Sequence, residues 1–222
     1  MQARPISKTT EQDARGPQPL SLSQAKPAFV GLLAPIQDRM VRLGVHPDQL
    51  TLAALPIQLS IAIALVGGSI NGLFWLAIPV LGVLLMAVNA LDGSIARATG
   101  TETIRGALTN ELVDRAGDIM IFSAAFAVAT PGLATFALVA VLSTELCAAI
   151  SSSITHRRDS LGPMSKPDRM LVLGIASLVA VAWQPALSMG LLAIGVGSVL
   201  GSMNRVRFAF SCARSTDDEA RP

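Results

Sequence analysis

The sequence predicts an all-α membrane protein: six transmembrane helices preceded by an interfacial amphipathic helix. Three observations carry that prediction. First, 51% of the 222 residues are hydrophobic and 14% charged, with a mean hydropathy of +0.55, whereas a soluble domain carries about 25% charged residues. Second, no Asp, Glu, Lys or Arg occurs in 49–91, 119–144 or 170–204. A span needs roughly 20 apolar residues, so the first and third stretches each hold two spans around a turn. Third, turn residues divide the stretches: Gly67-Gly68-Ser69-Ile70-Asn71-Gly72, Thr130-Pro131-Gly132 and Trp183-Gln184-Pro185. This composition excludes a soluble globular, a disordered and a nucleic-acid-binding protein, and the net charge of +2 implies no polyanionic partner.

Residues 1–26 are polar, rich in Pro, Gln and Ser, and lack the apolar core of a signal peptide; they are expected to be a disordered cytoplasmic tail. From Pro27 to Val45, Phe29, Leu33, Ile36, Met40 and Leu43 recur every three or four residues, with Gln37, Asp38, Arg39 and Arg42 between them. That is an amphipathic pattern, suited to the membrane interface or to a linker helix packed on the bundle. The six-helix domain is expected over 46–208. Its third span runs from about Gly106 to Ala129 and its fourth from about Leu133 to Ser153, and a second tail occupies 209–222. The turns near 67–72, 130–133 and 184–186 hold no Lys or Arg. The other side holds Arg39, Arg42, Arg97, Arg105, Arg157, Arg158, Lys166, Arg169, Arg205, Arg207 and Arg214. By the positive-inside rule both termini and the charged loops are cytoplasmic, in a multi-pass inner-membrane protein. Cys147 and Cys212 have no ligand-like neighbours and read as small apolar residues.

Polar groups concentrate where the chain should be most apolar. Between the second and third spans it reads Asn89-Ala-Leu-Asp92-Gly93-Ser-Ile-Ala96-Arg97, then eight residues, then Gly106-Ala-Leu-Thr-Asn110-Glu-Leu-Val-Asp114-Arg115-Ala-Gly-Asp118. Intramembrane ionisable residues are costly, and function is the default reading. Asn89, Asp92 and Ala96 share one helix face, and Gly106, Asn110, Asp114 and Asp118 share another. Two helix ends thus aim oxygen ligands at one point. Carboxylate and amide oxygens suit Mg²⁺, Mn²⁺ or Ca²⁺, and the lack of a local His or Cys argues against zinc. Gly93 and Gly106 let a nucleotide or diphosphate approach the backbone.

This segment resembles the signature of the CDP-alcohol phosphatidyltransferase family, Asp-x2-Asp-Gly-x2-Ala-Arg-x8-Gly-x3-Asp-x3-Asp. Every spacing agrees, and Asp92, Gly93, Ala96, Arg97, Gly106 and Asp114 agree in identity. The run Gly44-Val45-His46-Pro47-Asp48-Gln49-Leu50-Thr51 is similar to the family's Pro-Asn-x-Leu-Thr entry to the first span. The likeness covers roughly residues 28 to 208. It implies transfer of a phosphatidyl or other phospho-alcohol group from a CDP-alcohol, such as CDP-diacylglycerol, to a hydroxyl acceptor with release of CMP, in phospholipid biosynthesis. It also implies that positions 89, 92, 110 and 114 hold divalent metal, Mg²⁺ or Mn²⁺, that Asp114 is the general base, that Gly93, Ala96, Arg97, Gly106 and Thr51 bind the CDP moiety, and that the protein is a homodimer.

The departures are Asn89 and Asn110, which stand at the first and third motif aspartates. They keep oxygen ligands but remove two negative charges, predicting weaker metal affinity and leaving one ion or two open. Asp118 is a candidate compensating carboxylate; Glu111 lies about 100° off that face. Lys166 and Arg169 are candidate contacts for a phosphate-bearing acceptor, with positive-inside topology as the alternative reason for them. Glu145, within the fourth span, is expected in the acceptor pocket or paired with a cation. His46 and His156 read as solvated loop residues. Two other functions stay open: a CDP-lipid-binding protein without turnover, prompted by Asn89 and Asn110, and a small transporter, prompted by Glu145.

Overall fold

Sharp helix-start signals lie along the chain, and each lets a helix begin where the sequence turns apolar. The computed structural model describes residues 26–155 and 163–219; residues 1–25 of the expected N-terminal tail and His156, Arg157 and Arg158 lie outside the described residues. Among the described residues the chain is helical with no strands. Two short helices, α1 (Lys26–Leu32) and α2 (Ala34–Arg42), precede six longer ones: α3 (Pro47–Gly68), α4 (Ala77–Thr99), α5 (Ile104–Ala124), α6 (Pro131–Thr155), α7 (Lys166–Ala180) and α8 (Pro185–Glu219).

The single amphipathic helix expected over 27–45 is instead two. Pro35, in the first turn of α2, has no N–H to continue the ladder from α1. Their apolar stripe is divided as well. Leu33, Met40, Val41 and Val45 pack on Leu50, Leu91 and Ile95, while Leu32, Ile36 and Leu43 are exposed. α3 begins with a reciprocal cap: His46 Nδ1 accepts from the Asp48 amide at 3.4 Å and Gln49 Oε1 from the His46 amide at 3.1 Å. α4 stops at Gly100, whose φ of +65° suits glycine. α5 starts at Thr103, whose hydroxyl accepts from the Gly106 amide at 2.9 Å. α7 starts at Ser165, whose amide and hydroxyl reach Asp168 Oδ2 at 2.9 and 2.7 Å. α6 and α8 begin on Pro131 and Pro185, at two of the turns read from sequence.

Four helical segments are long and apolar enough to cross a membrane: Pro47–Gly68, Gly72–Thr99, Pro131–Ser153 and Pro185–Ser211. The other two expected spans appear as helices of a different character. α5 carries Arg105, Glu111, Asp114, Arg115 and Asp118, and α7 has 15 residues, short of the roughly 20 that a span requires. The last expected span, α8, also continues past 208, to Glu219.

α3 packs against α4 and α5, α6 lies most extensively along α8, and α7 closes the bundle between α4 and α8. Ile61, Leu65, Leu85, Phe122, Leu173, Leu187 and Ile194 form the dry core. α3 and α5 approach closely at Gly117, where an added Cβ would lie 1.0 Å from Gln58 Oε1.

Candidate active site

The last turns of α4 and the first turns of α5 converge as their periodicity requires. Asn89 Nδ2 donates to Asp114 Oδ1 at 3.2 Å, so the two motif halves touch. Asn89, Asn110 and Asp114 line one cavity of about 980 Å³ between α4, α5, α6 and α7. Polar side chains gather at one end: Glu111, Arg115, Glu145, Lys166 and Arg205 face it as well, while Pro79, Val83, Met86, Leu108, Leu171, Ile175 and Leu178 form an apolar wall. Phe29 of α1 also reaches this cavity.

Asp92 lies one turn beyond Asn89, 6% exposed. Thr51 holds it, donating from Oγ1 to Asp92 Oδ2 at 3.1 Å, while the Gly93 amide donates to Asp92 Oδ1 at 2.5 Å. Thr51 is therefore placed as a support for a carboxylate. Arg97 is exposed, and its guanidinium lies over Gly93, its Nη1 3.4 Å from where a Cβ would stand. A Cβ on Gly106 would meet Thr103 Oγ1 at 3.1 Å and Asp48 Oδ1 at 3.3 Å. Gly93, Ala96 and Gly106 thus sit beside the polar end of the cavity, outside its lining.

Beneath the cavity runs a chain of ion pairs. Lys166 Nζ lies 2.5 Å from Asp114 Oδ1 and 3.9 Å from Asp118 Oδ1. Arg169 Nη2 donates to Asp118 Oδ2 at 2.9 Å, with both side chains 0% exposed. Arg169 Nη1 lies 2.6 Å from Glu145 Oε1, and Arg115 Nη1 lies 2.7 Å from Glu145 Oε2. Arg115 also pairs with Glu111, one turn away on α5. Arg205 donates to the Thr144 carbonyl at 3.0 Å.

The expected residues therefore divide. Asn89, Asn110, Asp114, Lys166 and Glu145 are brought to the cavity. Asp118 and Arg169 are packed together below it, so the Asp118 charge is matched by a guanidinium and Arg169 presents no free face to a ligand. Arg115 and Arg205 also face the cavity, outside the expected set. The signal was there: each is an ionisable residue within or beside an apolar helix, and Arg115 stands four residues after Glu111. Glu111 also reaches the cavity, because a long side chain covers the offset from the motif face.

The donors suit a hard divalent cation. Asn89 Oδ1 is buried with no hydrogen-bond partner, an oxygen ready for a ligand it does not find within the protein. The four positions offer two carboxylates and two amides, charge enough to balance one divalent ion. Among the described residues no three His, Cys, Asp or Glu side chains gather as a metal site, so the amide oxygens of Asn89 and Asn110 would be needed to complete the donor set.

Comparison with known proteins identifies the family. The sequence profile described as CDP-alcohol phosphatidyltransferase matches residues 44–201. The inner membrane protein YnbA of Escherichia coli K12 is 30% identical over 193 residues, covering 85% of this chain and 96% of that protein. A phosphatidylinositol phosphate synthase of Mycobacterium tuberculosis H37Rv is 27% identical over 209 residues, covering 89% of this chain and 94% of the synthase. The fold matches crystal structures of the M. tuberculosis synthase PgsA1 with a TM-score of 0.66. One, in complex with manganese and citrate, is 22% identical over 79% of this chain and 88% of that one. The other, with CDP-DAG bound, is 24% identical over 79% and 92%. With the motif, the converging helix ends and a profile match across most of the chain in agreement, the protein belongs to the CDP-alcohol phosphatidyltransferase family.

Proposed function

We propose that this transferase works in the cavity between α4, α5, α6 and α7, with Asp114 as its general base. As a family member it moves a phosphatidyl or other phospho-alcohol group from a CDP-alcohol to a hydroxyl acceptor and releases CMP. The observation that carries the placement is the meeting of Asn89, Asn110 and Asp114 at the polar end of a cavity whose remaining wall is apolar. An amphiphilic substrate such as CDP-diacylglycerol fits that division, with its charged head at the helix ends and its chains along Val83, Leu171, Ile175 and Leu178.

Asn89, Asp92, Asn110 and Asp114 would hold a divalent metal, Mg²⁺ or Mn²⁺, which when bound supplies positive charge against the diphosphate. Gly93, Ala96, Arg97 and Gly106 bind the cytidine diphosphate, and Thr51 keeps Asp92 oriented. Asp114 accepts the proton of the acceptor hydroxyl. The new bond joins that oxygen to the phosphorus bearing the alcohol group, the bond from this phosphorus to the CMP oxygen breaks, and CMP leaves with the electron pair. Lys166, hydrogen-bonded to Asp114, fixes the carboxylate's position. Asp118 acts through Arg169 on the floor of the site.

The proposal includes six spans, with α5 and α7 inserted beside the four apolar helices, and both termini on the cytoplasmic face of the inner membrane. Support comes from the Lys and Arg residues gathered at one end of the bundle and from the inner-membrane relative. Pairing of two copies, implied by the family resemblance, belongs to the same proposal.

The test is CMP release by purified protein in detergent from CDP-diacylglycerol with Mg²⁺ or Mn²⁺ and a panel of hydroxyl acceptors. Metal-dependent release with one of them is the expected result. Binding of the CDP-lipid with no release by any acceptor would replace this reading with a binding protein, the alternative that Asn89 and Asn110 favour.

A further inference from the structure

A phosphate monoester carries about −1.5 to −2 charges near neutral pH, and proteins hold it with cationic groups whose donors are free to face it. In this cavity Lys166 and Arg115, with Arg169 just below, already face carboxylates of the chain. Glu145 reaches from α6 between two arginines of different helices, placing one oxygen 2.6 Å from Arg169 and the other 2.7 Å from Arg115. Glu111 pairs with Arg115, Asp118 with Arg169 at 2.9 Å, and Asp114 with Lys166 at 2.5 Å. Arg205, 4% exposed, is tied to the Thr144 carbonyl at 3.0 Å. Among the described residues around the cavity, Lys166, Arg115 and Arg169 are thus each paired with a carboxylate. The place between two guanidiniums, where an anionic acceptor would bind, is filled by Glu145, 14% exposed on its side chain.

We infer that the acceptor used by this chain is a hydroxyl compound without a phosphate group, and that Glu145 determines this specificity by occupying the arginine pair with an internal carboxylate. A phosphate ester entering there would have to displace Glu145, leaving that carboxylate buried and unpaired beside a second anion. The inference deepens the transferase reading above and rests on it for the identity of the reaction. It departs from the phosphate-bearing product in the name of the mycobacterial relatives.

The test compares matched acceptors, glycerol against glycerol 3-phosphate and inositol against inositol phosphate, in CMP release from CDP-diacylglycerol. For the wild type, kcat/KM is expected to favour an uncharged acceptor over its phosphate ester by about tenfold or more. Glu145→Gln is expected to narrow that ratio by about tenfold, through a lower KM for the phosphate ester. A wild-type preference for the phosphate ester overturns the inference and leaves the transferase reading standing. If no acceptor yields CMP, the transferase reading fails, and thermal unfolding with inorganic phosphate or glycerol 3-phosphate still decides the cavity's charge preference. Millimolar phosphate should leave the wild type unshifted and raise the melting temperature of Glu145→Gln by about 2 °C or more; stabilisation of the wild type overturns the inference. Should Glu145→Gln not fold, the wild-type measurements decide alone, with Glu111→Gln as the second variant that relieves Arg115.

Discussion

Replacing Asp118 with Asn tests whether the ion-pair floor holds the bundle together. Asp118 and Arg169 are each 0% exposed, 2.9 Å apart. The second Asp118 oxygen has no hydrogen-bond partner and lies 3.9 Å from Lys166 Nζ. An amide keeps the size of the side chain but removes the charge facing the guanidinium, which retains Glu145 at 2.6 Å. Breaking a buried pair costs about 3–5 kcal/mol, and the surviving Glu145 contact places this change near the lower end, about 3 kcal/mol. For a chain of this length each kcal/mol lowers the melting temperature by roughly 2–4 °C, so a fall of about 6–12 °C is expected in detergent. Glu111→Gln is the control: its side chain is 36% exposed and it shares Arg115 with Glu145, so its cost should stay below about 1 kcal/mol. Thermal unfolding of both variants gives the answer. An Asp118→Asn shift no larger than that of Glu111→Gln would refute a structural floor. A normal melting temperature joined to a higher Mn²⁺ requirement would instead assign Asp118 as a compensating metal carboxylate.

Three further outcomes are expected. Asn89→Asp with Asn110→Asp adds two carboxylates and should lower the Mn²⁺ concentration for half-maximal CMP release by about tenfold or more; an unchanged metal curve would remove both positions as ligands. Thr51→Val deletes the hydroxyl that donates to Asp92 at 3.1 Å and should cut turnover by about 10–100-fold with helical content intact by circular dichroism, whereas wild-type turnover would show that Asp92 needs no such support. Gly190→Ala places a Cβ 2.5 Å from that of Ala176, so the α7–α8 contact must open at a cost of about 1–3 kcal/mol; an unshifted melting curve would contradict the close approach of those helices.

Much of this fold is legible because charge is costly in lipid and backbone punctuation is local. The charge-free stretches contain all but the first two residues of α3, the first part of α4, most of α6 and the apolar part of α8, and Pro131 and Pro185 start helices at turns that the sequence marks. The site's first layer is legible for a related reason: 3.6-residue periodicity places Asn89 and Asp114 on faces that meet, and they touch at 3.2 Å. What stays hidden depends on partners distant in sequence. Asp118 lies on the motif face yet turns to Arg169, 51 residues away, and no local pattern reports that choice. Glu145 could have lined a pocket or paired with a cation; it does both, because Arg115 and Arg169 arrive from two other helices. Pro35 divides the N-terminal helix although the apolar spacing runs through it, since spacing records side chains and is blind to a missing N–H.

The central claim is that Asp114 takes the acceptor's proton at the meeting point of α4 and α5. The most direct measurement is the rate of CMP release from CDP-diacylglycerol by Asp114→Asn against the wild type, at equal folded protein and saturating Mn²⁺. A loss of about 100-fold or more is expected. A variant that releases CMP as fast as the wild type would contradict the account.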